Sequence, residues 1–240
     1  MEEVTYVVVC NHEGQYSIWD SERPVPSGWE VRAPAASKEL CLESVKQDGR
    51  MLEHVPYDLR DHDICLAAVK QDGRVLSKVP RNIMNYEISM LGIWKDAWNI
   101  LHVPEQFIDR LMAMLVVRSY GELLKYIPEH LKDREMCLTA VKRNSRALKY
   151  IPIHLRDREI CMIAVNNYGD IIRYVPEQLI DREMCLIALK NYGTALEYIP
   201  IHLRDYDICM LAVKKDGEML EHVPEHLKDR EICMLAVTRE

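Results

Sequence analysis

The sequence predicts a mainly α protein: an α-solenoid of 24-residue two-helix repeats preceded by a small N-terminal three-stranded antiparallel β-sheet. Three observations predict it. Pro56, Pro80, Pro104, Pro128, Pro152, Pro176, Pro200 and Pro224 fall 24 residues apart without an insertion, each after Val or Ile. Cysteine recurs at one phase of the same period, at 41, 65, 137, 161, 185, 209 and 233. The first 36 residues lack this pattern and carry β-branched and alternating runs instead. A fixed period of this length marks a stacked architecture, in which each unit is too small to bury its own apolar face and uses its neighbours'.

The elements follow in chain order. Residues 4–10 form a β-branched run, Asn11-His12-Glu13-Gly14 a turn, and residues 15–19 alternate, which together predict a β-hairpin. Pro24, Pro26 and Gly28 punctuate a loop, and a third strand is expected over 28–32. Ser37 is placed to cap a helix over 38–47. The unit that starts at Pro128 then represents the rest. Asp133 is its N-cap, with Glu135 in the first turn where the helix dipole favours an anion. Asp61, Asp109, Asp157, Asp181, Asp205 and Asp229 repeat the cap, and Asn85 replaces it once. Met136, Cys137, Ala140 and Val141 lay an apolar stripe on one side of a helix about three turns long. Glycine at 49, 73, 121, 169, 193 and 217 is expected as a left-handed residue closing that helix, with Asp96-Ala97 and Asn144-Ser145 standing in. A second, shorter helix, such as 146–151, stops before the proline. The units over 80–127 diverge most: Ser89 and Ala113 replace cysteine, Leu111 replaces the acid, and Trp94 and Trp98 are expected to fill space. The domain boundary predicted is 1–36 for the sheet and 37–240 for the repeats, with the helix over 37–48 shared.

Composition excludes several classes. The 240 residues are 48% apolar and 29% charged, so disordered and collagen-like chains are ruled out. The balance of 31 basic against 38 acidic residues has the wrong sign for a protein whose main task is to neutralise phosphates. No run approaches the ~20 apolar residues that cross a bilayer, and residues 1–9 lack a basic-then-apolar signal, so a cytoplasmic location is expected.

The repeat resembles an uncharacterised bacterial helical-repeat family, a domain of unknown function, whose units read like DREICLAAVKQDG; residues 61–73 match it closely. This implies a fold and no catalytic residue. A second resemblance lies near the N-terminus. Asn11, Glu13, Gln15, Ser17 and Trp19 at alternate positions, then Val25-Pro26-x-Gly28-Trp29 and Cys41-Leu42, are similar to the signature of MbtH-like proteins over about residues 4–46. That family binds adenylation domains of nonribosomal peptide synthetases, aids their folding and promotes aminoacyl-adenylate formation. The resemblance implies that Trp19 and Trp29, with Pro26 in the turn between, wall a cleft for a small apolar side chain of the adenylation domain, and that Ser17 and Ile18 lie on the same edge. Asp20 stands where the family has proline, and no Trp-Thr-Asp segment follows near Gly49.

Site chemistry is otherwise sparse. Adjacent cysteines in the row lie about 8–10 Å apart, beyond disulfide reach, and read as small core residues. His130, His154, His202 and His226 each precede a cysteine by seven residues, but a turn histidine and a packed thiol do not complete a tetrahedral metal site. No metal, cofactor or catalytic residue is assigned. Tyr126, Tyr150, Tyr174 and Tyr198 form a row two residues before the prolines, and Tyr120, Tyr168 and Tyr192 a partial second row. One aromatic per unit suits an extended peptide or stacked bases. Arg110, Arg134, Arg158, Arg182 and Arg230 sit beside acids and are expected in surface ion pairs. The reading is a non-enzymatic accessory protein of an adenylating enzyme whose solenoid adds a protein or peptide surface. The alternatives are a general interaction scaffold or effector-type solenoid capped by the sheet, and single-stranded RNA binding by the tyrosine row.

Overall fold

A computed structural model describes residues 6–33 and 38–238. The expected cap Ser37 and the start of the first strand at Val4 lie outside them. Contacts divide the chain into two compact units, Met1–Leu115 and Val116–Glu240.

The first unit opens with β1 (Tyr6–Asn11), β2 (Tyr16–Asp20) and β3 (Trp29–Ala33), an antiparallel sheet in the order β2-β1-β3. Two glycines with positive φ shape its connections, Gly14 at 76° and Gly28 at 86°. Asn11 closes the hairpin: its Oδ1 accepts from the Glu13 and Gln15 amides at 3.0 and 2.9 Å, and its Nδ2 donates to Gln15 Oε1 at 2.7 Å. After Trp19, the Asp20 carboxylate accepts from the Glu22 amide at 2.9 Å, so an Asx turn does the bending that proline would do.

The repeat follows. Its α-helices are α1 (Lys38–Gln47), α2 (His62–Gln71), α3 (Tyr86–Lys95) and α4 (Arg110–Ser119), then α5 (Arg134–Arg143), α6 (Arg158–Asn167), α7 (Arg182–Asn191), α8 (Tyr206–Lys215) and α9 (Arg230–Val237). The predicted caps are in place: Asp133 accepts from the Met136 amide and Asp181 from the Met184 amide, both at 2.8 Å, and Asn85 serves α3 in the same way. Met136, Cys137, Ala140 and Val141 are fully buried, as the stripe requires.

Three expectations need correction. The second helix of the unit is a six-residue 3-10 helix, such as Ser145–Tyr150, and a three-residue 3-10 turn, such as Ile153–Leu155, follows every repeat proline except Pro80. The short unit leaves no room for two α-helices, and the tighter 3-10 winding spans the gap with fewer residues. The repeat glycines are not left-handed; only Gly14 and Gly28 among the described glycines have positive φ. They sit where the first turn of the 3-10 helix meets the next α-helix: a methyl group on Gly169 would overlap the Ala188 carbonyl, and one on Gly49 the Ala68 carbonyl. The residue before the glycine starts the 3-10 helix, capping it through its side chain where it is Asp48, Asp72 or Asp216. Finally, Trp94 does not fill the core, being 73% exposed, and Trp98 is 37% exposed.

Polar staples join successive units. Arg158 pairs with Asp181 and Glu183 of the next helix at 2.8 and 2.6 Å, and Arg182 with Asp205 and Asp207 at 2.8 Å each. Arg156 also donates to the carbonyls of Ile151, at the end of the preceding unit, and of Tyr174 in its own, and Arg204 repeats this with Ile199 and His222. Burial pulls the Arg156 and Arg204 guanidinium values below their ordinary range. In the divergent unit the buried Asn99 donates to the Gly73 and Gly92 carbonyls at 3.0 and 2.8 Å, a polar lock where other units carry aliphatic or small side chains. No helix among the described residues is long and apolar enough to cross a membrane.

Candidate functional site

The strand register decides which motif residues share a face. Val9 lies opposite Ser17 on β2 and Val31 on β3; Val7 faces Trp19 and Asn11 faces Trp29. Cross-strand partners share a face, so Ser17, Trp19, Trp29, Val9 and Val31 belong to one side of the sheet. Trp19 and Trp29 stand at diagonal corners of it, about 14 Å apart along β1 and about 10 Å across. Val9 and Ser17 lie between them as a floor.

That face is covered on one flank and open on the other. The Ser17 hydroxyl donates to Met51 Sδ at 3.5 Å, and α1 and the 3-10 helix Gly49–His54 pack against β2. Val9 is 1% exposed, whereas Val31 beside it is 50% exposed. Both indoles are half-buried. The Trp19 Nε1 is buried and has no acceptor. Trp29 is placed by the turn before it: its amide donates to the Pro26 carbonyl at 3.1 Å, and Gly28 supplies the positive φ that the third residue of this turn requires. Pro26 therefore aims Trp29 and is itself half-buried.

Ile18 requires a correction. It pairs with Val8 on the opposite face and is 3% exposed, because side chains alternate along a strand. Its side chain is core; only the backbone of the edge strand stands beside Ser17 and Trp19. Asn11 and Gln15 are engaged in closing the hairpin. The floor residue Val9 was not singled out from the sequence, although its spacing from the turn places it opposite Ser17.

The tyrosine row lies in the second unit. Tyr126 is 37% exposed and Tyr150, Tyr174 and Tyr198 are half-buried. A cation sits over each ring: Lys125 over Tyr126 at 4.5 Å, Lys149 over Tyr150 at 4.7 Å, and Arg173 over both Tyr174 and Tyr198 at 5.2 and 5.7 Å. Tyr168 and Tyr192 of the second row lie 6.3 Å apart. The thiols of Cys41, Cys65, Cys137, Cys161, Cys185 and Cys209 are pushed up to about 11 by burial, which suits packing and opposes the thiolate that metal binding needs. Among the described residues no group of three or more His, Cys, Asp or Glu side chains converges.

Comparison with known families follows this division. A family profile described as a domain of unknown function, DUF4116, matches residues 37–84, 109–156, 157–204 and 205–239. The chain belongs to that family. Each of the first three DUF4116 matches spans two 24-residue units, and residues 85–108, which hold Ser89, Trp94 and Asn99, are passed over. The MbtH-like protein family matches residues 1–53, so an MbtH-like domain is fused to the DUF4116 repeats. Both profiles claim residues 37–53: α1 and the start of the first 3-10 helix serve the two architectures at once. MbtH-like proteins are non-catalytic accessory proteins of adenylation enzymes, and the domain supports an accessory role of that general kind. No curated protein and no solved structure matches the chain.

Proposed function

We propose that this DUF4116 protein is a non-enzymatic accessory subunit that docks on an adenylation domain of a nonribosomal peptide synthetase, or a related adenylating enzyme, through Trp19, Trp29 and Ser17. The division of labour falls at residues 36 and 37: the sheet docks and the repeats over 37–240 add a protein or peptide surface. The observation that carries the reading is the shared sheet face, with two half-exposed indoles bracketing Val9 and an unpartnered Trp19 N–H. A small apolar side chain matches that face, held between aromatic walls. Tryptophan in such a half-desolvated slot dominates interface energetics. The tyrosine row is the second surface. Its cations suit a peptide bearing carboxylates, and the chain's excess of 38 acidic over 31 basic residues disfavours nucleic acid.

The test is calorimetric titration of the full chain into a purified adenylation domain that binds MbtH-like proteins. Wild type is expected to bind, and Trp29→Ala, at the open flank, to weaken binding at least tenfold while leaving the far-UV spectrum unchanged. Unchanged binding by Trp19→Ala/Trp29→Ala protein overturns the reading. A second reading, in which the sheet only caps the repeats, is favoured by the Ser17 to Met51 contact and the packing of α1 on β2. It expects Trp19→Ala to lower stability and to affect no partner.

A further inference from the structure

We infer that the outer groove between α7 and α8 is a docking site for an amphipathic helix with an acidic N-terminal turn, lying antiparallel to the two helices that form it. The groove is a trough of about 510 Å³ floored by Leu186, Ile187 and Leu211 and flanked by Lys190, Lys214 and Lys215. These floor residues are not part of the buried stripe: they lie on the outward side of helices whose Met184, Cys185, Ala188, Ile208, Cys209 and Ala212 already fill the core. Packing within the unit explains the inner set and leaves the outer set half-exposed.

The floor selects the occupant's conformation. It offers aliphatic side chains, and the helices beneath satisfy their own backbones. An extended segment laid there would bring unpaired amides and carbonyls over an apolar surface, whereas a helix pairs its own except at its two ends. The lining runs over residues 186–190 and 211–215, about 6 Å of helix axis at 1.5 Å per residue, so the trough seats one to two turns of the occupant, with apolar anchors at i and i+3/i+4.

Charge selects its direction. α7 and α8 run parallel, since Arg182 in the first turn of one pairs with Asp205 and Asp207 at the start of the other. One arginine there serves two carboxylates, leaving the N-terminal edge net acidic. The opposite edge holds Lys190, Lys214 and Lys215, none of which has a carboxylate within ion-pair distance among the described residues. Helices favour acids in their first turn and bases in their last. Only the antiparallel orientation puts an occupant's first-turn acids on the three lysines.

The first unit holds an internal comparison. Six repeats earlier in the sequence, between α1 and α2, a trough of the same size is lined by Leu42, Leu66 and Ala67 with Lys46, Lys70, Gln71 and the carboxylate of Asp63. There Ala67 replaces Leu211, Gln71 replaces Lys215, Glu43 replaces Ile187, and Lys46 is tied to Glu43 at 2.8 Å. The same trough recurs, but with a poorer floor and its lysines partly neutralised, so occupancy is assigned to α7 and α8.

The test uses the full chain and two labelled 14-residue amphipathic peptides of identical composition, both held helical by a side-chain link on the polar face. One carries glutamates in its first turn and lysines in its last; the other has the two clusters exchanged. Fluorescence anisotropy is expected to show the acid-first peptide binding about tenfold more tightly, a preference that shrinks in 0.5 M salt, taken as roughly a 4 Å screening length. Lys214→Glu/Lys215→Glu is expected to invert the preference, and Leu211→Ala, the residue of the α2 trough, to weaken the acid-first peptide about fivefold. Equal affinity for the two peptides, absence of binding, or a preference indifferent to the lysine reversal overturns the proposal. A thermal unfolding midpoint within two or three degrees of wild type, about the scale of 1 kcal/mol, confirms that each variant is folded.

Discussion

Replacing Gly169 by alanine separates two reasons for a glycine at the start of each 3-10 helix. Gly169 has ordinary negative φ, so added backbone stiffness in the unfolded chain would by itself stabilise the protein by about 0.4–1 kcal/mol. The packing opposes this. A methyl group at residue 169 would overlap the Ala188 carbonyl oxygen and crowd the Ala188 backbone, which belongs to a buried turn of α7 and has no flexible side chain to swing away. Overpacking of this kind costs about 1–3 kcal/mol, so the net effect is a loss of roughly 1–2 kcal/mol. At about 2–4 °C per kcal/mol, the midpoint of thermal unfolding followed by circular dichroism falls by about 2–8 °C. The companion variant is Ser145→Gly. Ser145 holds the equivalent position with a β-carbon, and its hydroxyl accepts from Asn167 Nδ2 at 2.9 Å, so glycine there loses a hydrogen bond and gains chain entropy. A loss of about 1–2 kcal/mol is expected. A Gly169→Ala protein as stable as wild type, or more so, refutes the close-packing account.

Arg156→Met keeps the aliphatic stem but strands the Ile151, Tyr174 and Lys149 carbonyls; urea unfolding is expected to register about 1.5–3 kcal/mol of destabilisation, with Arg156→Lys intermediate because Lys132 does the same work toward the Tyr150 carbonyl. Acid unfolding should follow the cap carboxylates. The Met184 amide holds Asp181 below the usual carboxylate value, with Arg158 adding to this against partial desolvation. A lowered folded value stabilises above the unfolded value of about 3.9 and loses that contribution as pH falls through the lower one, so stability declines below about pH 4. Asp181→Asn, which keeps an N-cap acceptor and cannot titrate, should flatten that limb in a pH series of urea midpoints; an unchanged slope contradicts the assignment. Ellman's reagent at pH 8 should leave the six buried repeat thiols unreacted in the folded chain and titrate all of them in denaturant, whereas rapid native reaction would show that they are not packed.

Much of this was legible from the residues because periodic burial needs periodic side chains. The eight prolines, the Asp caps and the Cys-containing stripe specify the unit, its α-helix and its core positions one by one, and each cap found its amide. The sheet was legible for the same reason: β-branched runs around Asn11 to Gly14 admit one hairpin. What the glycines do was not legible. A glycine after a helix serves as a left-handed cap or as a point of contact, and only the carbonyl of the next unit at Ala188 distinguishes the two. Trp94 shows the same limit, since a large aromatic in a helix reads as core until its neighbours are known.

The candidate site divides along the same line. The resemblance to MbtH-like proteins put Ser17, Trp19 and Trp29 in one motif and left Ile18 beside them. Alternation along β2 puts Ile18 on the far face, and the pairing of β1 with both neighbours set Val9 between the indoles, because which residues stand opposite one another depends on register, which sequence spacing does not contain. The sequence by itself determined the repeat, its caps, its buried stripe and the presence of two architectures sharing α1. Only the tertiary structure decided which outward residues share a face, why glycine recurs, and which lysines lack partners, since each of these is settled by atoms that a neighbouring unit brings into contact.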